Sequence, residues 1–484
     1  MDIALFSSET LMAILPEILL LVLAALVLLS DMILKRSRSE LLGGLTTLGL
    51  LVILVVALLV SRPDGQESLI LGGMLRHDWL AFTFKVILLF AAAISALLST
   101  SFDEVSDRGD YYALMIVAML GMNLMAASAD LMMLFLAIET TSIPLYILAG
   151  FIKGDDKSAE SGIKYFLFGA LTSAVMLYGF SLLYGFTGET NLYNLAVAMR
   201  AGALSPWLIA AMAMLVLVGF AFKISAVPFH FWSPDVYEGA PTPITAFIST
   251  ASKAAGFAVL VRFMLTVFPA IELQWTWILA IMATATMTIG NLLAIPQKNI
   301  KRLLAFSSVA HAGYVMIGLV ALSTFGAASV VFYLAAYVVT NLAAFAVVIL
   351  FARTAGSEQI EDYAGLSRRS PGLGLALMVA FLSLGGMPPL AGFVAKVYVF
   401  AAVVESGWIW LAFVGVLNSI IGLYYYLTVL KVVYLYRSEQ DNVPIEIPRA
   451  YGIGLGLCVF AIILIGSLSA PWLDWATQAA QNLF

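Results

Sequence analysis

Apolar runs of eighteen or more residues recur from one end of this 484-residue chain to the other. No other feature narrows the fold so sharply. In a bilayer each run of roughly 20 residues makes one crossing as an α-helix, because a helix satisfies its own backbone groups where no water can. The composition agrees, with 62% of residues hydrophobic and 11% charged, far from soluble averages. The expectation is an all-α polytopic membrane protein, a single integral membrane domain over residues 1–484 with about fourteen transmembrane helices.

The first six spans are expected near 11–34, 41–60, 79–100, 110–127, 130–151 and 160–187. The seventh starts near 206 and breaks around Lys223 to Pro228, where proline removes a backbone donor. Spans eight to eleven fall near 242–268, 275–294, 300–321 and 328–353. The twelfth, 372–404, breaks at Gly385 to Pro389, and the last two lie near 408–436 and 449–471. Residues Met1 to Ser8 have no basic segment or cleavage site, so the first run reads as a retained helix.

Loop charge sets the orientation. One side carries Lys35, Arg36, Arg38, Arg108, Lys153, Lys157, Lys298, Lys301, Arg302, Arg353, Arg368, Arg369, Arg437 and Arg449. The other carries Arg62, Arg76 and Arg200. The first side is expected to be cytoplasmic, which puts both termini in the periplasm of a bacterial inner membrane.

Two segments share one pattern: Gly219-Phe220-Ala221-Phe222-Lys223 and Gly392-Phe393-Val394-Ala395-Lys396. Each lies at a broken span, and the two are five spans apart, so they cross in opposite directions. An odd number of spans repeated in tandem is an inverted repeat, and paired interrupted helices mark ion paths in transporters. The expected units are 110–268 (spans four to eight) and 275–436 (spans nine to thirteen). A fainter echo joins Tyr165 and Thr172 to Tyr333 and Thr340.

Ionisable groups inside spans cost about 2.5–3.5 kcal/mol each on insertion scales and therefore face a protein interior. Glu139 reads as the clearest buried acid. Lys223, Lys253 and Lys396 are mid-span bases, and Lys164 lies one turn inside span six. A Glu–Lys pair that can separate is a two-state proton site, because the parted lysine is left desolvated. His311, among Ser307, Ser308 and Tyr314, suits a proton relay, although a neutral hydrogen-bonded histidine would look the same. His230, in the first break, either caps a half-helix or relays protons. Lys85 and Lys431, near span ends, read as snorkelling or static partners. Arg262 fits either reading, and Lys298, Lys301 and Arg302 read as topogenic.

Much else is excluded. Cys458 is the only cysteine, so the chain has no internal disulfide and no cysteine-based metal or iron–sulfur site. There is no Walker loop and no dinucleotide fingerprint. No basic stripe suggests nucleic acid. Neither a metal nor a cofactor is expected in this chain.

The run Pro228-Phe229-His230-Phe231-Trp232-Ser233-Pro234-Asp235-Val236-Tyr237-Glu238-Gly239-Ala240-Pro241-Thr242-Pro243 resembles the signature of the antiporter-like membrane subunits of respiratory complex I. Ser307 to Tyr314 and Gly385 to Lys396 fit the same family, and the Asp235 to Pro241 wording is most similar to its subunit N branch, counterpart of mitochondrial subunit 2. The resemblance spans the whole chain. It implies fourteen helices, two inverted five-helix units and proton translocation. It implies helix-five, helix-seven, helix-eight and helix-twelve roles for Glu139, Lys223, Lys253 and Lys396, a relay position for His311 and a helix-six role for Lys164. It also implies partner subunits in the membrane arm, neighbouring antiporter-like chains among them, with FMN, iron–sulfur clusters, NADH and quinone held by other chains. Two other readings stand beside it. One is a subunit of a multisubunit Na+/H+ antiporter, against which the Val236 to Pro241 wording argues. The other is a membrane scaffold whose buried pairs only fix helix register.

Overall fold

A computed structural model describes residues 8–33, 41–64, 68–202, 204–268, 271–441 and 443–483. The expected topogenic residues Lys35, Arg36 and Arg38, the end of the first span and most of the Met1 to Ser8 segment lie outside the described residues.

The chain is helical almost throughout. The first crossings are α1 (Ser8–Ile33), α2 (Leu41–Val60), α3 (Trp79–Ser99), α4 (Gly109–Ala127), α5 (Leu131–Ala149) and α6 (Asp156–Thr187). A short surface helix α7 (Leu192–Arg200) leads to α8 (Pro206–Ile224). The chain then breaks, resumes as α9 (Trp232–Gly239) and enters α10 (Thr242–Phe247), which a π-helical turn, Ile248–Ser252, joins to α11 (Lys253–Val267). Next come α12 (Glu272–Ala294), α13 (Ile300–Val320), α14 (Thr324–Ala355), a single turn α15 (Leu366–Arg369), α16 (Pro371–Gly385), a second break, and α17 (Ala391–Glu405). The chain finishes with α18 (Ile409–Leu435), α19 (Arg449–Ser467) and a surface helix α20 (Ser469–Ala480).

Among the described residues 13 helical segments are long and apolar enough to cross a membrane. The shorter apolar helix α16, with α17 beyond the break, supplies one more, so the expected fourteen crossings are present. Both breaks fall where they were expected. Ser225, at φ 59°, closes α8, and Gly386, at φ 86°, closes α16. The Gly386 position needs glycine, because a left-handed residue with a Cβ is strained and the Lys396 side chain lies 3.0 Å from where that Cβ would be. Sequence reading did not find α7, α20, the π-turn or the small hairpin of β1 (Ser68–Ile70) and β2 (Leu75–His77).

The interior is unlike that of a soluble protein. The segments 242–267 and 300–320 are buried over nearly all their length, and α14 is nearly so, whereas fewer than half of the residues of α1 and α2 are buried. With lipid outside, burial cannot be driven by apolarity alone, and close backbone approach takes over. A Cβ on Gly290 of α12 would stand 2.6 Å from the Ala310 backbone nitrogen of α13, and one on Gly313 of α13 would stand 2.7 Å from the Met287 nitrogen. Neither backbone can retreat without parting the helices. Gly290→Leu is therefore expected to destabilise by about 2 kcal/mol or more, read as a lowered melting temperature and reduced yield of folded protein in detergent.

Candidate functional site

The site is built on the broken and π-distorted helices. Lys223 is in the last turn of α8, just before the first break, and only 7% exposed. Its ammonium donates to Ser142 Oγ at 2.9 Å. Ser142 lies three residues after Glu139, on α5. The expected Glu139–Lys223 ion pair is not closed: among the described residues no carboxylate oxygen lies within 4.0 Å of Lys223. Glu139 Oε1 instead accepts from Ser173 of α6 at 2.7 Å. Glu139 is also half-exposed, on the same α5 face as exposed Leu136 and Ile143. The deeply buried acids among the described residues are Asp78, Glu17 and Asp130, 4%, 8% and 8% exposed. Asp78 and Asp130 cap the starts of α3 and α5, and Glu17 lies within α1.

Lys253 starts α11, directly after the π-turn, and is 3% exposed. Such turns insert one residue into a helix and often mark working sites. Its ammonium donates to Ser308 O at 2.8 Å and also to Ser308 Oγ. Tyr237 of α9 shares that hydroxyl at 3.2 Å. Ser249, inside the π-turn, accepts from Asn341 of α14 at 3.0 Å, and Asn341 also donates to Tyr337 at 3.0 Å.

His311 of α13 is held on both ring nitrogens. Nδ1 meets Tyr333 of α14 at 2.8 Å and Nε2 meets Tyr426 of α18 at 3.3 Å, and Tyr426 in turn bonds Ser307. A cavity of about 10 Å³ touches His311, Tyr337, Thr340 and Ser383. That is about the smallest space that holds one water, and the polar partners a water needs are present.

Lys396 of α17 lies against the second break, 4% exposed. It donates to the last carbonyls of α16, Leu384 at 2.9 Å and Gly385 at 3.1 Å, and to Ser419 of α18 at 2.8 Å. Its charge also rests over the Tyr314 ring, 4.8 Å from the centroid. A helix C-terminus attracts a cation, so the break provides the site with partial negative charge where no carboxylate is present. A cleft of about 280 Å³ reaches Lys396 from the side, between Phe393, Phe400, Val416 and Ile420.

The structure therefore buries Lys223, Lys253, His311 and Lys396 in the interior, and it leaves two other candidates elsewhere. Lys164 is part of an outer cluster, 2.5 Å from Asp235 and 2.6 Å from Glu160. There Arg302 of α13 holds Asp235 at 2.9 Å and Glu238 at 2.8 Å, and Lys157 of α6 holds Glu238 at 3.0 Å. Arg302 and Lys301 thus anchor as well as orient: Lys301 reaches Ala240 O and Glu358, both at 3.0 Å. His230 is buried in the first break, its ring 4.3 Å from that of Phe231, with Nδ1 free of any hydrogen bond among the described residues.

Of the other bases within spans, two are buried in ion pairs and one is exposed. Arg262 makes a two-pronged pair with Asp78, at 2.6 and 2.8 Å, and also reaches Ala126 O. Lys85 joins Glu17 at 2.9 Å. Lys431 is exposed, over the ring of Tyr436. Sequence reasoning missed Ser142, Tyr237, Tyr426 and Asn341 as partners. Serines and tyrosines are common in membrane helices, and only the fold brings these to the lysines.

Residues 128–422 match the family described as NADH:quinone oxidoreductase/Mrp antiporter, TM. A relative from Moorella thermoacetica, named NADH-quinone oxidoreductase subunit N, is 40% identical over 97% of this chain and 98% of its own. One of the same name from Desulfitobacterium hafniense is 41% identical over 96% and 97%. A chain in the solved structure of respiratory complex I from Thermus thermophilus with bound aureothin is 34% identical, covers 95% of this chain and 98% of that one, and superposes with a TM-score of 0.80. The chain, a multi-pass membrane protein, belongs to the subunit N family of NADH-quinone oxidoreductases, within the NADH:quinone oxidoreductase/Mrp antiporter group.

Proposed function

We propose that this chain is a proton-translocating membrane-arm subunit of an NADH:quinone oxidoreductase. It moves protons while partner subunits, which hold the FMN, iron–sulfur clusters, NADH and quinone, transfer electrons. The observation that carries the reading is the buried series Lys223, Lys253, His311 and Lys396. Each member is bonded to neutral oxygen atoms or tyrosine hydroxyls rather than to a carboxylate. A lysine neutralised by a buried carboxylate holds its proton; one held by hydroxyls and carbonyls can release it. Subunit N relatives at about 40% identity favour this reading over a Na+/H+ antiporter subunit, and neighbouring genes for flavin and iron–sulfur subunits would separate the two.

The half-exposed position of Glu139 suits a receiver of charge or strain from a neighbouring subunit. When that change draws Glu139 toward or away from Lys223, the Lys223 ammonium gains or loses its preference for the charged form. The proton given up by Lys223 Nζ passes by Lys253, His311 and ordered water to Lys396 Nζ, and leaves from there. Moving one charge against the potential costs about 2.3 kcal/mol per 100 mV, so partner redox chemistry must drive it. Residues 110–268 and 275–436 act as two inverted units, each carrying one of the broken helices. The excess of basic loops supports a cytoplasmic position for Lys157, Arg302 and Arg437, with both termini in the periplasm. Lys164 and His230 serve at the edges of the path, the first at its cytoplasmic mouth and the second in the first break.

The test is NADH-driven proton pumping in inverted vesicles carrying Lys223→Ala, with assembly and NADH oxidation followed in parallel. The expected result is an assembled complex whose pumping falls at least about tenfold. Normal pumping in both Lys223→Ala and Glu139→Ala would refute the route.

A further inference from the structure

The outer end of α3 and the surface helix α20 enclose a cleft of about 490 Å³, lined by Arg62, Trp79, Asp474, Trp475 and Gln478 among others. Arg62 lies over the Trp79 ring, 5.1 Å from its centroid. Arg62 and Asp474 line the same cleft yet form no ion pair within 4.0 Å, with each other or with any other described residue. An unpaired cation and an unpaired anion therefore face one space.

At Trp475 this cleft meets a second, narrow one of about 80 Å³, between α3, α14, α19 and α20. Its walls are almost wholly apolar: Val86, Ile87, Val331, Phe332, Ile465 and Trp472. Trp475 forms the shared wall, fixed by its Nε1 donating to Thr83 at 2.8 Å and by stacking on Phe82. Ile87 lies eight residues along α3 from Trp79, so the groove runs about 12 Å inward from the polar cleft. Tryptophans at this depth mark the headgroup level of a bilayer.

We infer that this composite site binds one phospholipid with an amine-bearing zwitterionic headgroup, of the phosphatidylethanolamine kind. The guanidinium of Arg62 pairs with the phosphate, whose geometry suits its fork of donors. The Asp474 carboxylate and Gln478 accept hydrogen bonds from the ammonium. One acyl chain occupies the groove beside α14. The two-part polarity, with opposite charges over a hydrocarbon slot, matches such a lipid. A protein segment would need partners for its backbone groups, and the slot has almost no polar surface to offer them.

The experiment uses the complete complex, purified in mild detergent and exchanged with phosphatidylethanolamine bearing a diazirine on one acyl chain. After illumination, labelled peptides are mapped. Labelling is expected on the α3 segment around Val86 and Ile87 or on α14 around Phe332. It is expected to be displaced by unlabelled phosphatidylethanolamine and about tenfold less well by phosphatidylglycerol. Arg62→Ala should reduce labelling about tenfold with assembly unchanged, and Asp474→Asn should erase the preference over phosphatidylglycerol. Both residues are exposed, so neither change threatens folding. Equal labelling by the two lipids in the unaltered complex, labelling indifferent to Arg62→Ala, or displacement by inorganic phosphate would overturn the inference. So would a partner subunit filling the groove, seen as crosslinks from that subunit to Phe332.

Discussion

Lys253→Met is expected to lower NADH-driven proton pumping at least about tenfold while leaving the protein as stable as before or more so. The two halves of this result have one cause. Lys253 is buried, has no carboxylate within 4.0 Å among the described residues, and is held by Ser308 alone. A buried charge without a counter-ion is a standing cost, so a methionine of similar length removes a penalty. On the proposed route, a group kept at such a cost holds and releases a proton. The measurements are pumping in inverted vesicles and the melting temperature of the purified complex. Lost pumping with a marked fall in melting temperature would instead make Lys253 a structural post.

Arg262→Ala is expected to do the opposite, costing about 3 kcal/mol and reducing the amount of assembled protein, because it removes the two-pronged partner of buried Asp78 and leaves that carboxylate only Arg76, 3.3 Å away. Arg262 ties α11 to the start of α3 through Asp78, to the end of α4 through Ala126, and to α7 through Tyr193. Burial alone pushes the Asp78 carboxyl up, but the Arg262 guanidinium and the Ala81 amide outweigh it and hold the group below the usual carboxylate range. A native value lower than the unfolded one gives stability that is complete above the unfolded pKa, about 3.9. It is lost only as pH falls through the native value. The pair is thus intact at every pH at which the complex works. The combined variant Asp78→Asn with Arg262→Met should recover much of the loss, since the only charge then deprived of Asp78 is Arg76, whose side chain is partly exposed to solvent. Equal thermal stability of Arg262→Ala and the unaltered protein would show the pair to be idle.

The placement of the crossings was readable because apolar runs, prolines and glycines punctuate a membrane chain more plainly than a soluble one. The break at Ser225 to Phe231 follows from Pro228, and the one at Gly386 to Leu390 from adjacent glycines and prolines. What hydropathy could not separate was inside from outside. Lipid and protein interior are both apolar, so α2 on the rim and α13 in the centre read alike. Lys253, His311 and Lys396 were legible because a charged or polar group at mid-span needs a reason. Their partners were not, since Ser308, Tyr333 and Tyr426 become a site only when three helices converge. Glu139 misled in one respect. Its position along α5 was right for a buried acid, but its rotation about the helix turns it outward, and one sequence does not show which face a partner will cover.

Ser307 and Ser308 are neighbours in sequence, and successive residues of an α-helix point about 100° apart around its axis. Ser308 serves Lys253 and Tyr237, while Ser307 serves Tyr426 and through it His311. No side-chain hydrogen bond joins the two groups among the described residues. On the proposed proton route, helix α13 thus separates two hydrogen-bonded clusters. A hydrogen-bonded wire that ran unbroken from one membrane face to the other would short-circuit the gradient whenever the enzyme idled. On that route, joining the two clusters needs only a local change at α13, such as a rotated serine hydroxyl or one added water.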